Sequence, residues 1–484
     1  MQLLGFNKNA ICKQRYWAKW SKLLDCVFAT VTSGLSFFLS VESWYFSWIA
    51  LFILCIYSLR KSVFLTFIVG FTSYMLGAAN PHAVLPIFIY WPFITFNAIA
   101  VASVLVVFRL IADKWKGWDT SVIFASGLTA QEFIFSLFSP HGTVSSIAYT
   151  QVSNLPIIQI ASITGIWGIT FLMAITTANI ALFYRYPQNR RIKANLIPIS
   201  LLIVTVLFGF YRLNMPLEGE KIKIGIAAIS TNLEQYLAVS ANKDKQQVNQ
   251  TIERYIQKVN LLAQSGAEVV LLPEKIINLD GHDKNLQYFS DMVQKNKISL
   301  ILGVTSKDGN KLYNSAYVFS HEGEEIFQYN KKHLQPTYES RYTPGNSLGV
   351  MNKWGIEICK DMDFIQPTLE YSQRGVNIVF IPALDFHDDS WSHARVAIMR
   401  GVEGDFAVAR AGQWGLLTLS DSRGRILKSV SCDIGQDKAD IMGEVPLGTG
   451  NSIYSKIGYS FGWMCGLTFI ILSTVLLFVK PTKN

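Results

Sequence analysis

Three residues of this chain, Glu274, Lys331 and Cys359, have the types and order of a nucleophilic acyl-transfer site. Cys359 ends an apolar, strand-like run, Gly355-Ile356-Glu357-Ile358-Cys359, and polar Lys360-Asp361 follows. Glu274 ends a second such run, Val269-Val270-Leu271-Leu272-Pro273-Glu274, and Lys331 lies within Tyr329-Asn330-Lys331-Lys332-His333-Leu334. A free thiol, with a pKa near ~8.5, is mostly protonated at neutral pH, so it needs a base or a nearby cation to act as a nucleophile. A carboxylate can take the proton on attack and return it to the leaving group. An ammonium, with the backbone N–H after the cysteine, can hold the developing oxyanion.

The elements that must position these residues read as alternating strands and helices. Strand signals run over 222–229, 268–272, 298–304, 312–319, 355–359, 376–381 and 406–420. Helix signals run over 243–264, 285–295 and 392–404. Such alternation implies an α/β layered sheet, whose strand ends fix loop residues rigidly.

This block is flanked by a different kind of sequence. Of 484 residues, 50% are hydrophobic and only 16% charged, which is low for a soluble chain. The apolar residues concentrate in spans expected near 24–40, 44–58, 62–78, 84–108, 120–138, 157–184, 195–212 and 457–479. The organisation expected is therefore a membrane domain of seven spans over 1–212, a soluble domain over 213–455, and an eighth span with its tail over 456–484. Basic residues set the orientation. Lys8, Lys13, Arg15, Lys19 and Lys22 precede the first span; Arg60 and Lys61, then Arg109, Lys114 and Lys116, then Arg185, Arg190, Arg191 and Lys193 occupy alternate connections. Lys480 and Lys483 follow the last span, whereas connections 41–43, 79–83 and 139–156 carry no Lys or Arg. The positive-inside rule then puts both termini in the cytoplasm and the soluble domain outside, which in a Gram-negative cell is the periplasm. Glu132 falls inside the fifth span, where a carboxylate either contacts substrate or is satisfied by a neighbouring helix.

The net charge of +9 does not point to nucleic acid, because much of the excess lies in short connections and no recognition motif accompanies it. The six cysteines show no metal-ligand spacing, and no cofactor or metal motif is present.

The set Glu274, Lys331 and Cys359 resembles that of the nitrilase (carbon–nitrogen hydrolase) superfamily, and the whole chain resembles its membrane branch, the apolipoprotein N-acyltransferases. Arg400-Gly401-Val402-Glu403-Gly404 and Arg410-Ala411-Gly412-Gln413-Trp414-Gly415 look like the stretch after the cysteine. Gln159-Ile160-Ala161-Ser162-Ile163-Thr164-Gly165-Ile166-Trp167-Gly168 looks like the branch's sixth span, and Tyr149-Thr150-Gln151 like the tripeptide before it. The resemblance implies an α-β-β-α sandwich for the soluble domain. It also implies a two-step reaction: Cys359 takes an acyl chain from a phospholipid as a thioester, and the α-amino group of a diacylglyceryl-modified lipoprotein cysteine accepts it. It selects Lys331 over Lys332 through the Tyr-x-Lys-x-His-Leu frame, and it makes Glu339, in Pro336-Thr337-Tyr338-Glu339, a second catalytic glutamate. A monomeric enzyme of the bacterial inner membrane is expected.

Four places depart from the pattern. Cys-Tyr-Glu is Cys359-Lys360-Asp361, and Pro-Glu-Thr is Pro273-Glu274-Lys275. Asp388-Asp389-Ser390-Trp391 is the nearest match to Asn-Asp-x-Trp, and Glu-Trp-Leu-Arg is Glu132-Phe133-Ile134-Phe135, without its arginine. Lys360, Asp361, Trp391 and Glu132 are therefore the candidates for substrate binding. Two other readings stay open at this point: a membrane-tethered amidase with water as acceptor, and a non-enzymatic scaffold.

Overall fold

The computed structural model describes residues 8–82, 87–187, 196–217, 219–240, 244–279, 284–386, 389–432 and 439–479. In lipid, an uncharged apolar run can satisfy its backbone only as a helix. The N-terminal part folds accordingly into α1 (Lys8–Leu39), α2 (Tyr45–Ser58), α3 (Val63–Gly77), α4 (Ile87–Ala112) and α5 (Trp118–Phe138). Two single-turn helices, α6 (Leu155–Ile158) and α7 (Ala161–Thr164), precede α8 (Ile166–Arg185) and α9 (Leu196–Asn214). Pro92 lies inside α4, and the backbone leaves helical geometry near it, at Tyr90.

The next block is two facing sheets. The first is built from β1 (Lys221–Ala228), β2 (Val269–Leu271), β3 (Ile277–Asn278), β4 (Ser299–Asp308), β5 (Lys311–Phe319) and β6 (Glu325–Asn330). The second uses β7 (Val350–Met351), β8 (Trp354–Ile356), β9 (Ile378–Leu384), β10 (Ala407–Gln413), β11 (Leu416–Ser420) and β12 (Ile426–Ser431), and β13 (Ala439–Pro446) returns to the first. The strand orders are β13-β1-β2-β4-β5-β6, with β3 beside β4, and β12-β11-β10-β9-β8-β7. Ile224, Ile226, Leu271 and Val318 of one sheet bury against Ile378, Phe380, Ala409 and Leu417 of the other. Helices α10 (Leu233–Ser240), α11 (Lys245–Gln264) and α12 (Lys284–Asn296) lie with the first sheet. The fit follows from spacing: Val248, Ile252, Tyr255, Val259 and Leu262 form the buried stripe of the otherwise polar α11. On the second sheet lie α13 (Ile365–Gln373) and α14 (Ser390–Gly404), giving the α-β-β-α order expected. The chain closes with α15 (Ile453–Ile457) and α16 (Ser460–Phe478).

One apolar cluster runs from the membrane helices (Trp167, Leu172, Met173) through α14 (Val396, Val402) to the outer face of the second sheet (Val379, Ile381). Buried polar contacts fix the same junction. Arg400 of α14 donates to Thr143 and Tyr149, and the Glu403 carboxylate accepts from the Ile166 N–H at 2.7 Å, on the positive end of α8. Arg212, near the end of α9, reaches Asp405 at 2.7 Å. The two-sheet block is thus packed and bonded onto the helical layer.

Six of the described helices are long and apolar enough to cross a membrane: Ser21–Leu39, Tyr90–Ala112, Trp118–Phe138, Ile166–Arg185, Leu196–Asn214 and Ser460–Phe478. The runs expected as the second and third spans form apolar helices of 14 and 15 residues, below the usual length of about 17–25 for a crossing. The sixth expected span, 157–184, begins later, at Ile166. Gly165 breaks the helix with φ +67°, and a side chain there would collide with the Tyr454 ring. The expected strand over 406–420 is a hairpin, because the chain reverses at Trp414-Gly415, where Trp414 adopts φ +52°. Arg190, Arg191, Lys193, Lys480, Lys483 and Asp388, and the side chains of Lys8, Lys13, Arg15 and Lys19, lie outside the described residues.

Candidate active site

Strand ends supply the site. β2 runs parallel to β1 and β4, and the chain leaves it through Leu272 and Pro273 to Glu274. The approach is close: a Cβ on Gly303 of β4 would fall 2.3 Å from the Pro273 carbonyl oxygen. Lys331 follows β6, and its N–H donates to the Asn314 carbonyl at 2.8 Å. β8, parallel to β9, leads to the cysteine.

Lys331 Nζ lies 3.1 Å from Glu274 Oε1 and 2.8 Å from Glu339 Oε2, and all three side chains are at most 2% exposed. Asn314 Nδ2, from the middle of β5, donates to Glu274 Oε1 at 2.5 Å and to Glu339 Oε1 at 2.7 Å. Lys275 Nζ adds 3.0 Å and 3.4 Å contacts to Glu339 and Glu274. Two ammoniums thus balance two carboxylates in a dry pocket. Among the described residues Glu274 Oε2 is buried with no partner, which leaves one carboxylate oxygen able to receive a proton. Burial alone would lower Lys331 and raise Glu339. The mutual pairing outweighs it, so the ammonium is held above its ordinary range and Glu339, flanked by Lys331 and Lys275, well below.

Cys359 is not the last residue of a strand. β8 stops at Ile356, and Cys359 opens a short 3-10 turn, Cys359–Asp363, at φ +46°. A side chain in this left-handed region carries backbone strain of ~1–3 kcal/mol, and surrounding contacts must hold it there. The Asp361 carboxylate supplies them. It accepts from the Ile358 N–H (3.2 Å), the His333 N–H (2.7 Å) and the Tyr329 hydroxyl (2.8 Å), and lies 3.0 Å from His333 Nδ1. Cys359 as a residue is partly exposed, and its Sγ donates to the Leu384 carbonyl at 3.6 Å. Desolvation and then the Glu274 carboxylate push its thiol up, with Lys331 pulling the other way. Asp385 and Arg410 act on the thiol from an ion pair of their own.

The structure therefore brings Glu274, Lys331 and Glu339 into one bonded cluster whose charges act on Cys359. The four candidates for substrate binding have other partners. Asp361 is fully buried and engaged as described, so it braces the turn. Lys360, 6% exposed, lies 3.3 Å from His141 Nδ1 and 3.4 Å from Asp363. Burial and then Lys360 push His141 down to about 4, so its neutral ring can accept from the ammonium. Trp391 packs against the apolar cluster that joins the two layers. Glu132 accepts from Ser146 Oγ (2.7 Å), the Ile147 N–H (2.9 Å) and Thr170 Oγ1 (2.7 Å), and it lines a cavity within the helices.

Sequence reasoning missed Asn314 and the charge-balancing role of Lys275. Asn314 carries no motif; it stands opposite Thr305 of β4, and only tertiary packing puts it beside both glutamates. Lys275 was visible as a departure, and its adjacency to Glu274 was the available signal.

Because the buried Asp361 carboxylate meets three donors, Asp361→Ala is expected to cost about 3 kcal/mol of stability. It should also relax the strained turn. Thermal unfolding of the purified protein and the alkylation rate of Cys359 check this; unchanged values for both would contradict the bracing role.

A family model for the apolipoprotein N-acyltransferase N-terminal domain matches residues 32–179, and one for carbon-nitrogen hydrolase matches residues 226–461. The chain is 27% identical to the apolipoprotein N-acyltransferase of Geobacter metallireducens over 66% of its own length and 67% of the relative's. It is 24% identical to that of Haemophilus ducreyi, over 74% and 76%. Among solved structures, Saccharomyces cerevisiae Nit3, a member of branch 10 of the nitrilase superfamily, aligns at 20% identity and a TM-score of 0.39, covering 50% of this chain and 95% of that one.

Proposed function

The chain belongs to the apolipoprotein N-acyltransferases, the membrane branch of the carbon–nitrogen hydrolase superfamily, and on that premise we propose how its residues carry the transfer. It is an acyltransferase that moves an acyl chain from a phospholipid to the α-amino group of a diacylglyceryl lipoprotein cysteine. In the first step Cys359 Sγ attacks the ester carbonyl carbon while its proton passes to Glu274. Lys331 and the Lys360 N–H hold the oxyanion. Collapse breaks the C–O bond to the glycerol, Glu274 returns the proton to the leaving alkoxide, and a lysophospholipid departs from a Cys359 thioester. In the second step the α-amino group attacks the thioester carbonyl, Glu274 takes the amine proton, and the thiol leaves with it. Glu339 holds Lys331 in line, and Lys275 neutralises the remaining carboxylate charge.

One observation carries this reading: a buried Glu274–Lys331–Glu339 cluster, with Cys359 held at φ +46°, belongs to a layer that shares one apolar core with the membrane helices. Both substrates are lipids, and a dry site on the spans keeps water from the thioester. We further propose eight crossings, the two short helices α2 and α3 included, with both termini cytoplasmic and a monomeric catalytic layer facing the periplasm. Supporting this orientation, basic residues of alternate connections gather together. Lys61 pairs with Asp25 at 2.6 Å, Arg109 Nε donates to the Lys61 carbonyl, and Lys114 donates to that of Leu477.

The test incubates purified protein with labelled phospholipid and a diacylglyceryl peptide. Appearance of label as an amide on the peptide supports the proposal. Release of free fatty acid at the same rate with or without peptide, or ammonia from a small amide, would instead make water the acceptor.

A further inference from the structure

A cavity of about 160 Å³ lies among α1, α3, α4 and α5, with Arg395 of α14 in its wall. Its lining is mostly apolar, and the carboxylate and amides in it are paired: Glu132 has three donors, and Gln131 Nε2 donates to Asn97 Oδ1 at 2.9 Å. Arg395 is different. It is 7% exposed, donates Nη1 to the Val41 carbonyl at 3.1 Å, and its buried Nε has no partner among the described residues. Among the described residues no carboxylate forms an ion pair with it. The acidic groups that act on it are the exposed Glu42 and the Tyr149 hydroxyl. Burial pulls the guanidinium down only to about 10, so it stays cationic at neutral pH.

A buried cation without a counter-charge is costly. A guanidinium with free donors is shaped to meet a phosphate oxygen. The cavity also has an apolar extension. It shares Phe93 and Gln131 with a groove of about 400 Å³ along α4 and α5, floored by Phe96, Ile134 and Phe138. Phe96 and Phe138 are 60% and 83% exposed on the outer helix surface, where lipid chains would lie. Phe93 in turn packs its ring 5.3 Å from His141, which contacts Lys360, the residue after the nucleophile. A cationic end, an apolar end and a chain of contacts that reaches the residue after Cys359 make the outline of a site for one amphiphile.

We propose that this cavity seats the phosphodiester of the acyl-donor glycerophospholipid, gripped by Arg395, with one acyl chain in the α4–α5 groove. The assignment rests on the acyltransferase reading for the word donor, and on the geometry alone for the ligand. A diacylglyceryl acceptor has no phosphate at its glycerol, so Arg395 distinguishes the two lipids.

The test uses the full-length Cys359→Ala protein, in which no turnover occurs, and titrates it by native mass spectrometry with phosphatidylglycerol and with diacylglycerol of the same chains. Phosphatidylglycerol is expected to bind at least tenfold more tightly than diacylglycerol. Adding Arg395→Gln should weaken phosphatidylglycerol at least tenfold and leave diacylglycerol unchanged, while Arg395→Lys restores part of the loss. In protein that keeps Cys359, Arg395→Gln should raise the donor KM about tenfold with kcat changed less than twofold. Equal binding of the two lipids to Cys359→Ala would overturn the site without any further variant, and so would unaltered phosphatidylglycerol affinity in a folded Arg395→Gln protein. Because binding is read in an inactive protein, a failure of the acyltransferase reading leaves this result interpretable by itself.

Discussion

Glu274→Gln is expected to slow acyl loading of Cys359 by about 10³-fold, within the range that a positioned general base contributes. Burial and the Glu274 carboxylate both favour the protonated thiol. Attack therefore requires proton transfer as the C–S bond forms, and Oε2 of Glu274, without a partner among the described residues, is the acceptor available. Gln keeps the shape and an oxygen for Asn314 and Lys331, so the fold should persist. It also removes the charge that raises the thiol, and this gives the variant a signature. At alkaline pH, Cys359 of Glu274→Gln should alkylate faster than in the unaltered protein while its single-turnover loading stays slow, and the deficit should shrink as pH rises. A loss below tenfold, or a deficit that does not change with pH, would remove Glu274 from the role of base.

Lys331→Ala is expected to cost both rate and stability. Its ammonium is shared by Glu274 and Glu339 at 3.1 and 2.8 Å, at 2% exposure. Losing an oxyanion donor of this kind lowers the loading rate about 10²–10³-fold. Deleting one partner of a buried ion cluster costs about 3–5 kcal/mol, with Lys275 and Asn314 left to satisfy both carboxylates. The pH dependence follows from Glu339. Its folded-state carboxyl is held below its ordinary value of 4.5 by the lysines, so it contributes stability above that value and loses it as pH falls through the folded-state pKa. Without Lys331 the depression is smaller. The variant should therefore lose less stability on acidification from neutral pH, starting from a lower value. Thermal melts of both proteins from pH 7 to pH 3 check this; superimposable curves would contradict it.

The sequence made some of this legible and concealed the rest for physical reasons. Long apolar runs have one outcome in lipid, so the helices were readable, although Gly165 and its contact with Tyr454 moved the start of α8 in a way that only tertiary packing decides. Glu274 was readable because it ends a short apolar strand signal, and Lys331 because it sits in the recognisable frame Tyr329-Asn330-Lys331-Lys332-His333-Leu334. The left-handed turn at Cys359 was not, because it is held by Asp361 through groups 28 and 32 positions away in sequence. Lys360 and Asp361 looked alike as departures beside the nucleophile, yet one reaches His141 of the helical layer and the other braces the turn. Arg395 was one of several basic residues on an amphipathic helix. Its place in a cavity depends on which face of α14 meets the spans, and no local pattern encodes that.

The central claim is that Cys359 holds the acyl chain covalently between two lipids. Purified protein incubated with phospholipid alone, without acceptor, should gain the mass of one acyl chain. The adduct should map to the Cys359 peptide and be released by neutral hydroxylamine, and it should be absent in Cys359→Ala. An unchanged intact mass in protein that nevertheless transfers acyl chains to a diacylglyceryl peptide would contradict the thioester and require direct transfer between the two lipids.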